Sequence, residues 1–158
     1  MSRPGAWRRW MYRAGRPNRL ARLLNRISAA QFGAGFLSPS HWVTLEVTGR
    51  RSGRTVAFPL VVTRFRGERY LVSMLGADTN WVANVRAGGG RAVLRRRGRE
   101  PVVLHEMPPA DRPEILRRFL AVAPGARPHI PVDRAAPIGE FAAIADRYPV
   151  FRIDRPAA

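Results

Sequence analysis

Apolar positions in the first part of the chain recur at helical spacing. Trp7, Trp10, Met11 and Ala14 fall at i, i+3, i+4 and i+7, and after Gly15-Arg16-Pro17 the series continues with Leu20, Leu23, Leu24, Ile27 and Ala30. A period near 3.6 predicts two amphipathic helices. At Trp42 the period changes to two. Val43, Leu45 and Val47 alternate with Thr44, Glu46 and Thr48, the pattern of a half-buried strand. Thr55 to Thr63 is almost wholly apolar and predicts a further strand, in which Pro59, having no N–H to give, requires an edge or a bulge. Arg64 to Glu68 then reads as a turn and Arg69 to Met74 as a third strand.

Gly76-Ala77-Asp78-Thr79 supplies N-cap residues for a short helix from Asn80 to about Ala87, stopped by Gly88-Gly89-Gly90. Two strands follow, Arg91–Arg96 and Glu100–Glu106, joined at Arg97-Gly98, and Pro108-Pro109 ends the sheet. Ile115, Leu116, Phe119 and Leu120 share one face of a helix between Asp111 and Ala123. Ile138, Phe141, Ile144 and Ala145 mark another helix before a final strand, Val150–Ile153. Five or six short, mostly meandering strands with helices at the ends and between them predict an α+β fold. The expected architecture is a small antiparallel split β-barrel with peripheral helices, not a doubly wound sheet. With 158 residues there is room for one core, so the expected organisation is a basic amphipathic helical arm, residues 1–37, and a barrel domain, residues 38–158.

Composition narrows the chemistry. No cysteine is present, which removes disulfides, thiolate metal sites and cysteine nucleophiles, and the three histidines, His41, His105 and His129, are too dispersed to predict a metal centre. No Walker-type or dinucleotide-binding glycine signature occurs. An enzyme built from these residues takes its chemistry from a bound organic cofactor. The 28 basic residues are all arginine and face 11 acidic ones, a net charge of +17 that predicts anionic partners. Eight of the arginines, with no acid, fall in residues 1–40. The arm has no apolar run suited to a signal peptide or a bilayer span. Its composition suits peripheral contact with an anionic membrane surface, or packing against the barrel or a second subunit. The expected location is cytoplasmic, at most peripheral on the inner face of the cell membrane.

The turn Gly49-Arg50-Arg51-Ser52-Gly53 carries two guanidinium forks and a hydroxyl between glycines, which suits phosphate or carboxylate oxygens; the competing reading is a solvated hairpin turn. Trp81 and Asn84 lie three apart and so share a helix face with Val85. An indole there can stack on a planar ring and a carboxamide can bond a heterocycle's edge, or Trp81 is simply a core aromatic. His129, in Arg127-Pro128-His129-Ile130-Pro131, is a candidate proton donor in a proline-rich loop, or a surface histidine. Arg95-Arg96-Arg97 and Arg99 surround a hairpin turn and read as solvated charges.

Taken in order, Leu45-Glu46-Val47-Thr48-Gly49-Arg50-Arg51-Ser52-Gly53, Pro59-Leu60-Val61, Tyr70-Leu71-Val72-Ser73, Asn80-Trp81-Val82-Ala83-Asn84-Val85 and Arg91-Ala92-Val93-Leu94 resemble the deazaflavin-dependent nitroreductase family over about residues 38–106. These are split β-barrel oxidoreductases that use coenzyme F420, an 8-hydroxy-5-deazaflavin with a phosphodiester and a polyglutamate tail. The resemblance implies that Arg50, Arg51 and Ser52 hold the phosphate and acidic tail. It also implies that Pro59, Leu60 and Val61 lay backbone against the ring, that Ser73 and Met74 line its other side, and that Trp81 and Asn84 close the cleft. Hydride would pass from the reduced cofactor to a quinone-like or other electron-poor organic acceptor. An FMN-binding barrel of the same kind is the alternative enzyme. A non-enzymatic nucleic-acid binder is the alternative of another class, motivated by the charge but lacking the aromatic–basic interleaving of stacking platforms. The expected partners are a small-molecule acceptor and a second copy of the chain in a homodimer.

Overall fold

The computed structural model describes residues 41–157. The two helices expected within residues 1–37 lie outside the described residues.

The alternating segment forms β1 (Trp42–Thr48), and the apolar stretch after the turn forms β2 (Thr55–Val61) and β3 (Thr63–Phe65), separated by Val62 alone. A single strand over Thr55 to Thr63 was the expectation. The split matters because the sheet order is β2-β1-β5-β6-β7-β4-β3, with β4 at Glu68–Val72, β5 at Arg91–Arg95, β6 at Arg99–Glu106 and β7 at Val150–Asp154. Strands β2 and β3 are therefore the two outer strands of a seven-stranded sheet, yet their ends are two residues apart. Two Cα steps span at most about 7.6 Å, so the sheet must curl until its edges meet. The Val62 N–H, donating to the His41 carbonyl at 2.7 Å, pins that crossing. Pro59 sits in outer strand β2, which pairs only with β1, so its missing donor costs nothing in the ladder.

All pairings are antiparallel, but the sheet is not a simple meander. Three hairpins, β1–β2, β3–β4 and β5–β6, are joined because β7 enters between β6 and β4. The β3–β4 turn is tighter than expected, consisting of Arg66 (φ 49°) and Gly67 (φ 79°), the left-handed pair of a type I′ hairpin.

Register partners share a face of the sheet. Leu45 pairs with Leu94 and Phe58, Ala92 with Val102, Leu104 with Ile153 and Leu71 with Phe151, and all are buried, so these residues define one continuous inner face. Helix α1 (Asn80–Ala87) lies against that face through Trp81, whose ring centroid is 5.5 Å from that of Phe151. On the other face, Tyr70, Val72 and Val150 pack with α2 (Pro113–Val122) and α3 (Ile138–Ile144) through Leu116, Phe119, Leu120 and Phe141. Gly90, after α1, is pressed against β6: its φ is +83°, and an added Cβ would strike the Leu104 carbonyl. Among the described residues no helix is long and apolar enough to cross a membrane.

Candidate functional site

The β1–β2 turn is closed by its own backbone. The Gly49 N–H donates to the Arg54 carbonyl at 2.7 Å and the Gly53 N–H to the Gly49 carbonyl at 2.9 Å, while the Ser52 hydroxyl accepts the Arg54 N–H at 3.2 Å. Gly53 takes φ +68°, which a side-chain-bearing residue adopts reluctantly. Residues 50–54 are exposed, so the two guanidinium groups and the hydroxyl are presented to solvent from a fixed loop.

What fixes the loop from beneath is Asn84. Its buried Oδ1 accepts both the Arg50 backbone N–H at 3.1 Å and the Arg50 guanidinium NH1 at 2.9 Å, across 34 residues of sequence. Asn84 was expected at the edge of a ligand; in the structure its carbonyl oxygen holds the first arginine of the turn. No local pattern signals that bond, although the order of turn, proline and Trp-x-x-Asn helix does place both partners in one motif.

Trp81 is 4% exposed and its indole packs on Phe151 on the inner face of the sheet. An i, i+3 spacing identifies a shared helix face but not whether that face looks into a cleft or a core. Pro59 is exposed, Leu60 half-buried and Val61 buried, so exposure falls along the end of β2. Val61 belongs to the cluster built by α2, α3 and Ile130, and Met74 packs against the same cluster. Ser73 is buried. Its hydroxyl donates to the Gly76 carbonyl at 2.6 Å and lies 3.4 Å from the Thr79 hydroxyl, bracing the loop before α1; Thr79 occupies the N-cap position but makes no side-chain cap.

His129 is half-buried at the end of a 3₁₀ segment, Pro124–His129, and its carbonyl accepts the Tyr148 hydroxyl at 3.2 Å. It adjoins Ile130, a member of the cluster that also holds Val61. Burial pushes the Tyr70 phenol up, and Glu68 adds to the shift. Glu106, hydrogen-bonded by Arg86 through two contacts of 2.8 Å and by Arg112 at 3.1 Å, is held below the usual carboxylate range, chiefly by Arg86. Buried Arg112 also donates to the carbonyls of Met107, Ala145 and Tyr148, tying β6 to the segment before β7. Among the described residues no cluster of histidine and carboxylate groups could hold a metal ion.

Comparison with known proteins agrees with this architecture. A solved F420-H2 dependent reductase superposes with a TM-score of 0.50 at 22% identity, covering 72% of this chain and 94% of its own. A protein solved as a domain-swapped dimer does so with a TM-score of 0.50 at 19% identity, covering 83% and 97%. A NimC/NimA family protein from Clostridium acetobutylicum gives 0.50 at 12% identity, covering 79% and 81%. These likenesses establish the split-barrel fold. No curated protein matches in sequence. Residues 19–139 match the F420H(2)-dependent quinone reductase family, well over half of the chain. The match takes in the Arg50–Asn84 turn, the proline strand and α1 together, and it identifies the deazaflavin rather than FMN as the cofactor. On that span the chain belongs to the F420H(2)-dependent quinone reductase family and is an oxidoreductase that uses coenzyme F420.

Proposed function

We propose that the Gly49–Gly53 turn holds the phosphate and acidic tail of the cofactor and that the hydride acceptor is a small quinone. The observation that carries the first part is the pair of hydrogen bonds from Arg50 to Asn84, which fixes the turn while leaving Arg51 and Ser52 open to solvent. The donor set fits: two guanidinium groups and a hydroxyl match phosphate and carboxylate oxygens in number and charge. When bound, the reduced deazaflavin supplies hydride from its C5 carbon. In this reading Pro59, Leu60 and Val61 present backbone to the ring, and Ser73 and Met74 limit its other side. Trp81 and Asn84 support the cleft from the barrel interior, and together these groups would exclude water from the reacting centre and orient the acceptor against the ring. His129 is assigned the proton for the reduced acceptor; its place beside Ile130, in the cluster shared with Val61 and Met74, supports that role.

Titration of the full chain with coenzyme F420, followed by tryptophan fluorescence, tests the clamp. Replacing both Arg50 and Arg51 by alanine removes charge-assisted hydrogen bonds of about 1.5–3 kcal/mol each, so the dissociation constant should rise by at least about a hundredfold with folding intact. An unchanged constant overturns the clamp. Oxidation of the reduced cofactor by a naphthoquinone tests the acceptor, and no quinone-dependent turnover overturns that assignment.

Two further readings belong with this one. The proposed arm, residues 1–37, contacts an anionic membrane surface, which would bring a cytoplasmic enzyme to lipid-soluble quinones. Sedimentation of the full chain with anionic vesicles, absent in a chain beginning at Ser38, supports it; equal behaviour rejects it. The chain also forms a homodimer, a reading supported by the dimeric neighbour of the same fold and checked by light scattering.

A further inference from the structure

The strand register places a second group of arginines far from the turn. β1 and β5 are antiparallel, with Thr44 opposite Arg95, so the β5–β6 hairpin stands at the opposite end of β1 from Gly49. Five strand residues separate those levels, about 16 Å along the strand. At that end a cavity of about 510 Å³ opens, floored by Val43, Leu94 and Val62. Val43 and Leu94 belong to the inner face, so the cavity is the mouth of the curled sheet.

Its rim is cationic. Arg69 is already engaged by Glu100 at 2.7 and 3.1 Å, and Arg99 reaches Glu46 at 3.5 Å. Arg64, Arg96 and Arg97 also line the cavity, are exposed, and have no acidic partner among the described residues. An ordinary solvated hairpin needs no cavity behind it. Here three guanidinium groups without counter-charge surround an apolar floor in a space of ordinary ligand size, at the mouth of a barrel.

We propose that this mouth is a second ligand site, distinct from the Gly49–Gly53 turn, that takes an amphiphilic organic anion, its apolar body on Val43, Val62 and Leu94 and its carboxylate or phosphate among Arg64, Arg96 and Arg97. The two requirements separate this class from a bare anion, which the floor does not help, and from a neutral lipid, which the rim does not help.

The test uses dodecyl phosphate, kept below micelle formation, in calorimetric titration of the full chain, with inorganic phosphate as the bare anion. One saturable site per chain is expected, with inorganic phosphate weaker by at least about tenfold, the equivalent of about 1.4 kcal/mol. Replacing Arg64, Arg96 and Arg97 together by alanine should weaken dodecyl phosphate by at least about thirtyfold, since each hydrogen bond to a charged group contributes about tenfold. The melting temperature should hold, because the three side chains are exposed. A triple alanine variant at Arg117, Arg118 and Arg134, exposed residues that do not line the cavity, removes the same charge and should change affinity less than threefold, about the scale of a screened surface charge. Equal losses in the two triple variants, equal binding of inorganic phosphate, or absence of a saturable site each overturn the proposal. All three leave the reading of the turn untouched.

Discussion

Removing the Asn84 carboxamide isolates what the turn gains from being held. In Asn84→Ala the Arg50 N–H and guanidinium both lose the acceptor they share. Fixing one residue's backbone costs about 1–2 kcal/mol and ordering an arginine side chain up to about 2 kcal/mol. In the native protein much of that ordering precedes ligand binding; in the variant the cofactor must impose it. Cofactor affinity should therefore fall by about 1–3 kcal/mol, roughly five- to 150-fold. The decisive measurement is a double-mutant cycle by fluorescence titration, with Arg50→Ala as the second arm. The backbone N–H of residue 50 survives Arg50→Ala, so if Asn84 also acts by holding the Arg50 side chain, Asn84→Ala should cost less in the Arg50→Ala background, with a coupling energy equal to the side-chain share of the effect. Equal losses in the presence and absence of the Arg50 side chain would mean that Asn84 does not act through that guanidinium, and would refute this part of the positioning argument.

Two predictions concern the network that ties β6 to β7. Arg112→Met removes the guanidinium donor to the carbonyls of Met107, Ala145 and Tyr148 and one of the two donors to a Glu106 oxygen that Arg86 also holds, so stability should fall by about 3–5 kcal/mol, the cost of breaking a buried ionic group. At about 2–4 °C per kcal/mol the melting point drops by about 6–20 °C, and a change under about 2 °C would reject that role. Glu106, held below the ordinary carboxylate range chiefly by Arg86, binds a proton less readily folded than unfolded. Its contribution is thus complete above about pH 5 and fades as pH falls through the lowered folded value. Glu106→Gln should flatten the melting-temperature profile below about pH 5 relative to the native chain, and identical slopes would contradict the sign.

Much of the fold is legible in the sequence because much of it is local. The period-two run of β1, the glycine stop after α1, and the strands β5 and β6 all follow from spacing and turn chemistry within a few residues. The break at Val62 is not, since an apolar run carries no mark that its two halves belong to opposite edges of a sheet. Nor is the insertion of β7 between β6 and β4, a pairing across more than forty residues. At the candidate site the split is the same. The turn announces itself through two glycines and two arginines, whereas its attachment to Asn84 depends on a fold that brings residues 34 apart into contact. Arg96 and Arg97 read as solvent charges because a hairpin turn looks alike whether water or a cavity lies beside it.

The place of β7 in the sheet has a consequence for how the chain is made. Until Val150–Asp154 has left the ribosome, β6 and β4 each present a row of unpaired backbone groups, and the two halves of the barrel have no common ladder. Closure must wait for a strand that pairs with partners synthesised long before it, a high contact order that slows folding and prolongs exposure of sticky edges. During that interval an open edge can recruit the equivalent strand of a neighbouring nascent chain as readily as its own. A premature stop anywhere before Val150 would make this exposure permanent, leaving two hairpin systems with nothing to join them.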